Sequence, residues 1–223
     1  MPAPPLRPAH GVRRWARRVA GRVLPRAVLI GRGAATGRRR VALTFDDGPS
    51  ALTADYLDVL EAFGARATFF VVGQTCVEHP AALSAIVARG HEAAGHGYTH
   101  RPFPSLSAGE LRQELARTAG LLPRGPRRPL VRPPGGEVSP GSVLRCARAG
   151  YTTVLWSVDS NDCRTNLAAE LVANLAPERL GSGDIVLLHE GQRWTLEALP
   201  AALGALRAAG YQMVTVSELM AGR

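Results

Sequence analysis

The sequence predicts an α/β protein built on a parallel sheet. Three observations carry that reading. The chain has 223 residues and 46% hydrophobic content, enough for one sizeable core. From residue 40 onward, short apolar runs alternate with helical periodicity in about seven strand-helix units. No run of about 18 or more apolar residues occurs, so no membrane-spanning helix is predicted. A closed barrel and an open sheet share this periodicity, and in both the chemistry belongs at the carboxyl ends of the strands.

Residues 1–39 read as a basic arm and 40–223 as the folded body. Residues 1–40 hold eleven Arg and no acid, which leaves −2 for the rest of a chain whose net charge is +9. A near-neutral body gives no reason to expect a specific nucleic-acid partner. In the arm, Val12, Trp15, Ala16, Val19 and Val23 fall at helical spacing, with Arg13, Arg14, Arg17, Arg18 and Arg22 opposite. Pro25 ends the pattern. The reading is an amphipathic helix for an anionic membrane or polymer surface through residues 12–26, the alternative being a solvated tail. The longest clean apolar run there, Ala27 to Gly31, falls short of the roughly 7 to 15 residues of a secretory signal, so no conventional signal peptide is expected.

The body opens with a strand at Val41–Phe45 and a helix from Thr53 to Phe63, followed by a strand at Ala67–Val72 and a helix at Ala81–Ala88. A strand near His91–Ala94 precedes a helix from Ala108 to Leu121, with Ser107 as its cap and Glu110 three residues on. Leu130–Arg132 leads into a helix near Pro140–Ala149, and Thr152–Val158, Ile185–Leu188 and Met213–Val216 supply the last strands. Helices near Leu167–Leu175 and Trp194–Ala209 lie between those strands. Trp156 is expected to face core, because its strand is apolar on both faces.

Ionisable residues gather at the strand ends. The first strand runs into Asp46-Asp47-Gly48-Pro49, and the third into His96-Gly97-Tyr98-Thr99-His100. Two imidazoles four residues apart plus one carboxylate make a two-His, one-acid set with open positions, which suits zinc or another divalent metal. Arg132 ends the fourth strand, Asp159 to Cys163 follow the fifth, and His189 ends the sixth. Together they read as one convergent active site for metal-assisted hydrolysis of an amide or ester. No GxSxG or P-loop pattern is present, which disfavours acyl-serine and nucleotide chemistry. Cys76, Cys146 and Cys163 are odd in number and lack CxxC spacing, so no disulfide framework is indicated.

With its segments TFDDGP (44–49), HGYTH (96–100), RPPGG (132–136), DSNDC (159–163) and LLH (187–189) in order, the chain resembles the polysaccharide deacetylase family, carbohydrate esterase family four or NodB-homology domain. The resemblance covers residues 40 to 217 and implies a deformed (β/α) barrel and a metal-dependent N- or O-deacetylase. It implies that Asp46 is the catalytic base, Asp47, His96 and His100 hold one divalent metal (zinc, with cobalt or nickel as alternatives), and Arg132 orients the base. Asp162 would support His189 as general acid, Leu187 would receive the acetyl methyl, and the Gly135 N–H would help hold the oxyanion. An N-acetylated glycan or acetamido sugar would be the substrate, met outside the cytoplasm as is common in the family. Three positions depart from the pattern: Gly97 replaces Ser or Thr, Gly135 replaces Tyr, and Cys163 replaces Trp. A bond steadying the metal loop is therefore expected to be missing, and the groove to be wider. Cys163 itself is expected to be a buried apolar filler, the alternative being a thiol exposed at the active-site rim and open to oxidation or metal capture.

Overall fold

The computed structural model describes residues 25–33, 37–123 and 128–222. Its strands are β1 (Leu29–Ile30), β2 (Arg40–Asp46), β3 (Thr68–Val71), β4 (Glu92–Gly95), β5 (Leu130–Val131), β6 (Thr152–Val154), β7 (Val158–Asp159), β8 (Asp184–His189) and β9 (Gln212–Val214). Eight of them form one parallel path in the order β1, β6, β5, β4, β3, β2, β8, β7. β9 joins β2 beside Arg40–Ala42, while β3 takes the same strand at Thr44–Asp46. The helices are α1 (Thr53–Ala62), α2 (Gly73–Glu78), α3 (Pro80–Ala88), α4 (Ala108–Ala119), α5 (Pro140–Arg148), α6 (Ala168–Asn174), α7 (Arg193–Ala208) and α8 (Val216–Ala221). The result is a deformed (β/α) barrel.

Strand periodicity explains the two-sided core. Along β2, Val41, Leu43 and Phe45 face outward and pack with Val186, Leu188, Tyr56, Leu57 and Leu203 under the helices. Ala42 faces inward and packs with Phe70, Val154 and Ile185. Both faces are buried, so the strand reads as a continuous apolar run. Thr44 and Asp46 continue the inner face, which aims them into the barrel at the strand's carboxyl end.

The expected strand over 152–158 is corrected to two strands from opposite ends of the path. Between them the Leu155 N–H donates to Ile30 O at 2.7 Å and the Ser157 N–H to Ile185 O at 3.0 Å. The chain thus crosses the barrel's opening within a few residues. Periodicity cannot show this, since both halves are apolar. At the break, the carbonyls of Val154 and Leu155 accept from the Arg132 guanidinium at 3.4 Å each.

Other differences are local. Ser107 and Glu110 form the expected capping box at α4. The strand expected at Met213–Val216 stops at Val214, because Thr215 and Glu218 form a further capping box that opens α8. Neither α2 nor α8, at six residues each, is long enough to show a period. The sheet also begins before residue 40, since β1 pairs with β6 and buries Leu29 and Ile30. The expected helix over 12–23 lies outside the described residues. No helix among the described residues is long and apolar enough to cross a membrane.

Because Ile30 is 4% exposed and packs in the inner core, Ile30→Ala is expected to lower unfolding stability by about 2–5 kcal/mol in urea melts. A change below about 0.5 kcal/mol would mean that this strand adds nothing to the folded body.

Candidate active site

Parallel pairing of β2 with β8 sets Asp46 beside His189 in register. Leu187 shares the inner face with His189, two residues back, and is buried. Each of the two site residues has a buried partner. The Arg132 Nη1 donates to Asp46 Oδ1 at 2.7 Å and to Thr44 Oγ1 at 2.7 Å. Its guanidinium also lies over the Phe70 ring, 4.1 Å from the centroid, and 5.5 Å from that of Trp156. Trp156, half-buried against the inner core, takes the expected core position.

Asp162 is fully buried and receives His189 twice, the backbone N–H at Oδ2 and ring Nδ1 at Oδ1, both at 2.7 Å. Thr195 Oγ1 adds a bond to Oδ2 at 3.1 Å, and Trp194 Nε1 fixes the Asp162 carbonyl at 2.8 Å. Burial disfavours charge on His189, but the Asp162 hydrogen bond and charge outweigh it, with help from Asp46 and Asp47, and hold its pKa up at about 9. The pair therefore stabilises the fold fully below about 6.5, and this contribution is lost as pH rises through about 9.

His96 Nδ1 lies 2.8 Å from Arg132 O, which can only accept, so that nitrogen carries a proton and Nε2 is turned toward Asp47. His96 Nε2 is 3.4 Å, and His100 Nε2 3.0 Å, from Asp47 Oδ1. Burial works to raise the half-buried Asp47 carboxyl, yet the hydrogen bonds of His100 and His96 lower its pKa far below the carboxylate range. The same contact raises the pKa of His100. Ligand atoms of Asp47, His96 and His100 all lie within 4.8 Å of one another. This donor set fits a divalent cation: one carboxylate, two imidazoles, and a ring oriented through its second nitrogen by a carbonyl.

Gly97 has a left-handed φ of 83°, and a Cβ there would meet Glu114, Phe103 and Pro134 at 3.4 to 3.7 Å. The steadying bond expected to be lost at this position is supplied from elsewhere. Buried Glu114 accepts from Tyr98 N at 2.6 Å, Thr99 N at 2.8 Å and Thr99 Oγ1 at 2.7 Å. Sequence reasoning missed it, although a Glu within the buried stripe Leu111, Leu115 and Thr118 of α4 was the available signal. Glu190 was missed too. Its carboxylate accepts from Ser50 N at 3.0 Å, Ser50 Oγ at 2.9 Å and Thr53 Oγ1, and a Cβ at Gly48 would overlap it. It locks the turn after Asp47, but nothing in the sequence singled it out.

Gly135 is exposed in the turn Pro134–Gly136 that follows Arg132. Cys163 is also exposed, which corrects the expectation of a buried filler. Its loop is anchored through Asp162, so the next side chain is carried outward. Cys163, Asp162 and His189 likewise bring ligand atoms within 4.8 Å of one another.

The polysaccharide deacetylase family model matches residues 33–154. Peptidoglycan-N-acetylglucosamine deacetylase of Bacillus cereus is 36% identical over 81% of this chain and 87% of its own length. The structure of a family 4 carbohydrate esterase from Streptomyces lividans in complex with acetate superposes with a TM-score of 0.72 at 35% identity, covering 78% of this chain and 91% of that one. A CE4-family pseudoenzyme from Bacillus anthracis does so with a TM-score of 0.78 at 27% identity, covering 88% of this chain and 70% of that one. The chain spans between 30% and 39% of the length of three longer curated relatives that it matches. With motifs, fold and these likenesses in agreement, the chain belongs to the polysaccharide deacetylase family.

Proposed function

We propose that this protein hydrolyses N-acetyl groups on a glycan of the peptidoglycan class. The observation that carries the reading is the placement of two buried pairs, Asp46–Arg132 and His189–Asp162, on neighbouring strand ends beside the Asp47, His96 and His100 triplet. The substrate class follows the similar proteins, one a peptidoglycan-N-acetylglucosamine deacetylase and one an esterase solved with acetate.

Asp47, His96 and His100 would hold a divalent cation, and this donor set suits zinc. When bound, such an ion polarises a carbonyl and acidifies a water. Asp46, kept in place by Arg132, takes the proton of the attacking water. His189, kept cationic by Asp162, gives a proton to the departing amine as the carbon–nitrogen bond breaks. We assign the acetyl methyl to Leu187 and an oxyanion contact to the Gly135 N–H. Exposed Gly135 and Cys163 put no large side chain at the rim, which favours a broad acceptor. The likeness to a pseudoenzyme supports a second reading, a glycan-binding module without turnover. Against it stand both charge pairs, since a binder needs neither an acid nor a base.

Three outcomes test the proposal. Asp46→Asn and His189→Ala should each cut acetate release from N-acetylated glycan fragments at least about a hundredfold while zinc stays bound. Full activity in either variant would refute its assigned role. Asp162→Asn should move the alkaline limb of the rate–pH profile down from about 9, because burial of His189 is then opposed only by the weaker charges of Asp46 and Asp47. An unmoved limb would separate His189 from the titration. Glu114→Ala, which strands the donors of Tyr98 and Thr99, should weaken zinc binding by about 10- to 100-fold in chelator competition. Unchanged affinity would show that the loop holds its shape without this brace.

A further inference from the structure

Cys163 takes part in none of the steps above, yet it stands immediately after the residue that anchors His189. Among the described residues, two groups of three metal-ligating side chains bring their donor atoms within 4.8 Å of one another. One is Asp47, His96 and His100, and the other is Asp162, Cys163 and His189. The second group combines sulfur, imidazole and carboxylate donors. Cys163 is exposed and His189 is 16% exposed, so an ion can enter from solvent. Sulfur and imidazole donors with one open side suit zinc or cadmium in a tetrahedral arrangement.

We propose that Cys163, His189 and Asp162 form a second divalent-metal site, and that filling it withdraws His189 from proton donation. The inhibitory consequence rests on the acid role proposed above, whereas the site itself does not. On binding, metal–sulfur and metal–nitrogen bonds form, the Cys163 thiol and the imidazolium each lose a proton to solvent, and nothing is oxidised. An ion on the ring takes one of the two imidazolium protons and leaves a metal-bound imidazole that is a far weaker acid, so metal and catalysis compete for one ring.

The local charge favours metal capture over thiol oxidation. Burial, followed by the charges of Asp162 and Asp159, raises the thiol's pKa and keeps Cys163 a poor nucleophile. Those same carboxylates attract a cation, and a coordinated thiol is deprotonated outright. Arg164, the nearest cation in sequence, bonds to Asn161 Oδ1 at 3.3 Å.

The test titrates cadmium into the full-length protein already loaded with one equivalent of zinc, following the ultraviolet sulfur-to-cadmium charge-transfer band. Cys76 and Cys146 are buried, so a band in the folded protein reports Cys163. The wild-type protein should take a second equivalent with this band. Cys163→Ser and Cys163→Ala should lose the band and bind that equivalent at least about tenfold more weakly. Excess zinc should slow acetate release by the wild-type protein and not by either variant, each compared with its own rate at one equivalent. Absence of the band in the wild-type protein, or its persistence in the variants, would overturn the site. A band without any slowing would overturn the inhibitory consequence. If His189→Ala keeps full turnover while the wild-type protein shows the band, the acid assignment fails and the metal site stands.

Discussion

A guanidinium with no solvent exposure lies inside the barrel, and much of the surrounding structure answers its need for partners. Burial disfavours its charge and lowers its pKa, which the Asp46 carboxylate opposes by charge and hydrogen bond. Removing one member of such a buried pair costs about 3–5 kcal/mol, so each holds the other in place. Thr44 takes another donor, and the carbonyls of Val154 and Leu155 complete the set. Those two carbonyls lie where the strand expected through residue 158 is broken and the chain crosses the barrel's opening. The backbone carbonyl of Arg132 fixes which nitrogen of His96 is turned toward Asp47. One buried residue thereby holds Asp46 and orients a ring of the candidate metal set.

The second pair works by the opposite logic. Asp162 is buried and its carboxylate accepts from the His189 backbone and ring and from Thr195, so its charge is directed at one imidazole. Where Arg132 restrains a carboxylate, Asp162 sustains a cation. A carboxylate held by a buried guanidinium and an imidazole held by a buried carboxylate thus face each other from adjacent strands. Parallel register puts them there, since residues at equal height on β2 and β8 emerge at the same mouth of the barrel.

That mouth is acidic in a chain whose net charge is +9. Asp46 and Asp159 end strands there and Asp47 and Asp162 follow in the loops, while the positive excess is confined to residues 1–40. The separation favours a cation at the mouth and gives two donor groups, one on each side, the means to hold one. Loops around the mouth are braced by buried carboxylates from behind, Glu114 under the HGYTH turn and Glu190 beside the Asp47 turn. Neither reaches into the site. Both convert flexible connections into fixed ligand positions.

The sequence by itself determined the alternation of strands and helices, the strand ends that carry chemistry, and the five segments that place the chain in its family. These are local properties. Period-two and period-3.6 patterns record which side of an element is buried, and strand ends follow from where apolar runs meet Asp, His, Gly or Pro. Tertiary structure alone decided the split of residues 152–158, the strand Leu29–Ile30 ahead of residue 40, the brace from Glu114 and the exposure of Cys163. Each depends on which distant group satisfies a buried charge or an unpaired backbone donor. Partners of that kind are joined through space across 86 residues for Arg132 and Asp46, and no local pattern records such a distance.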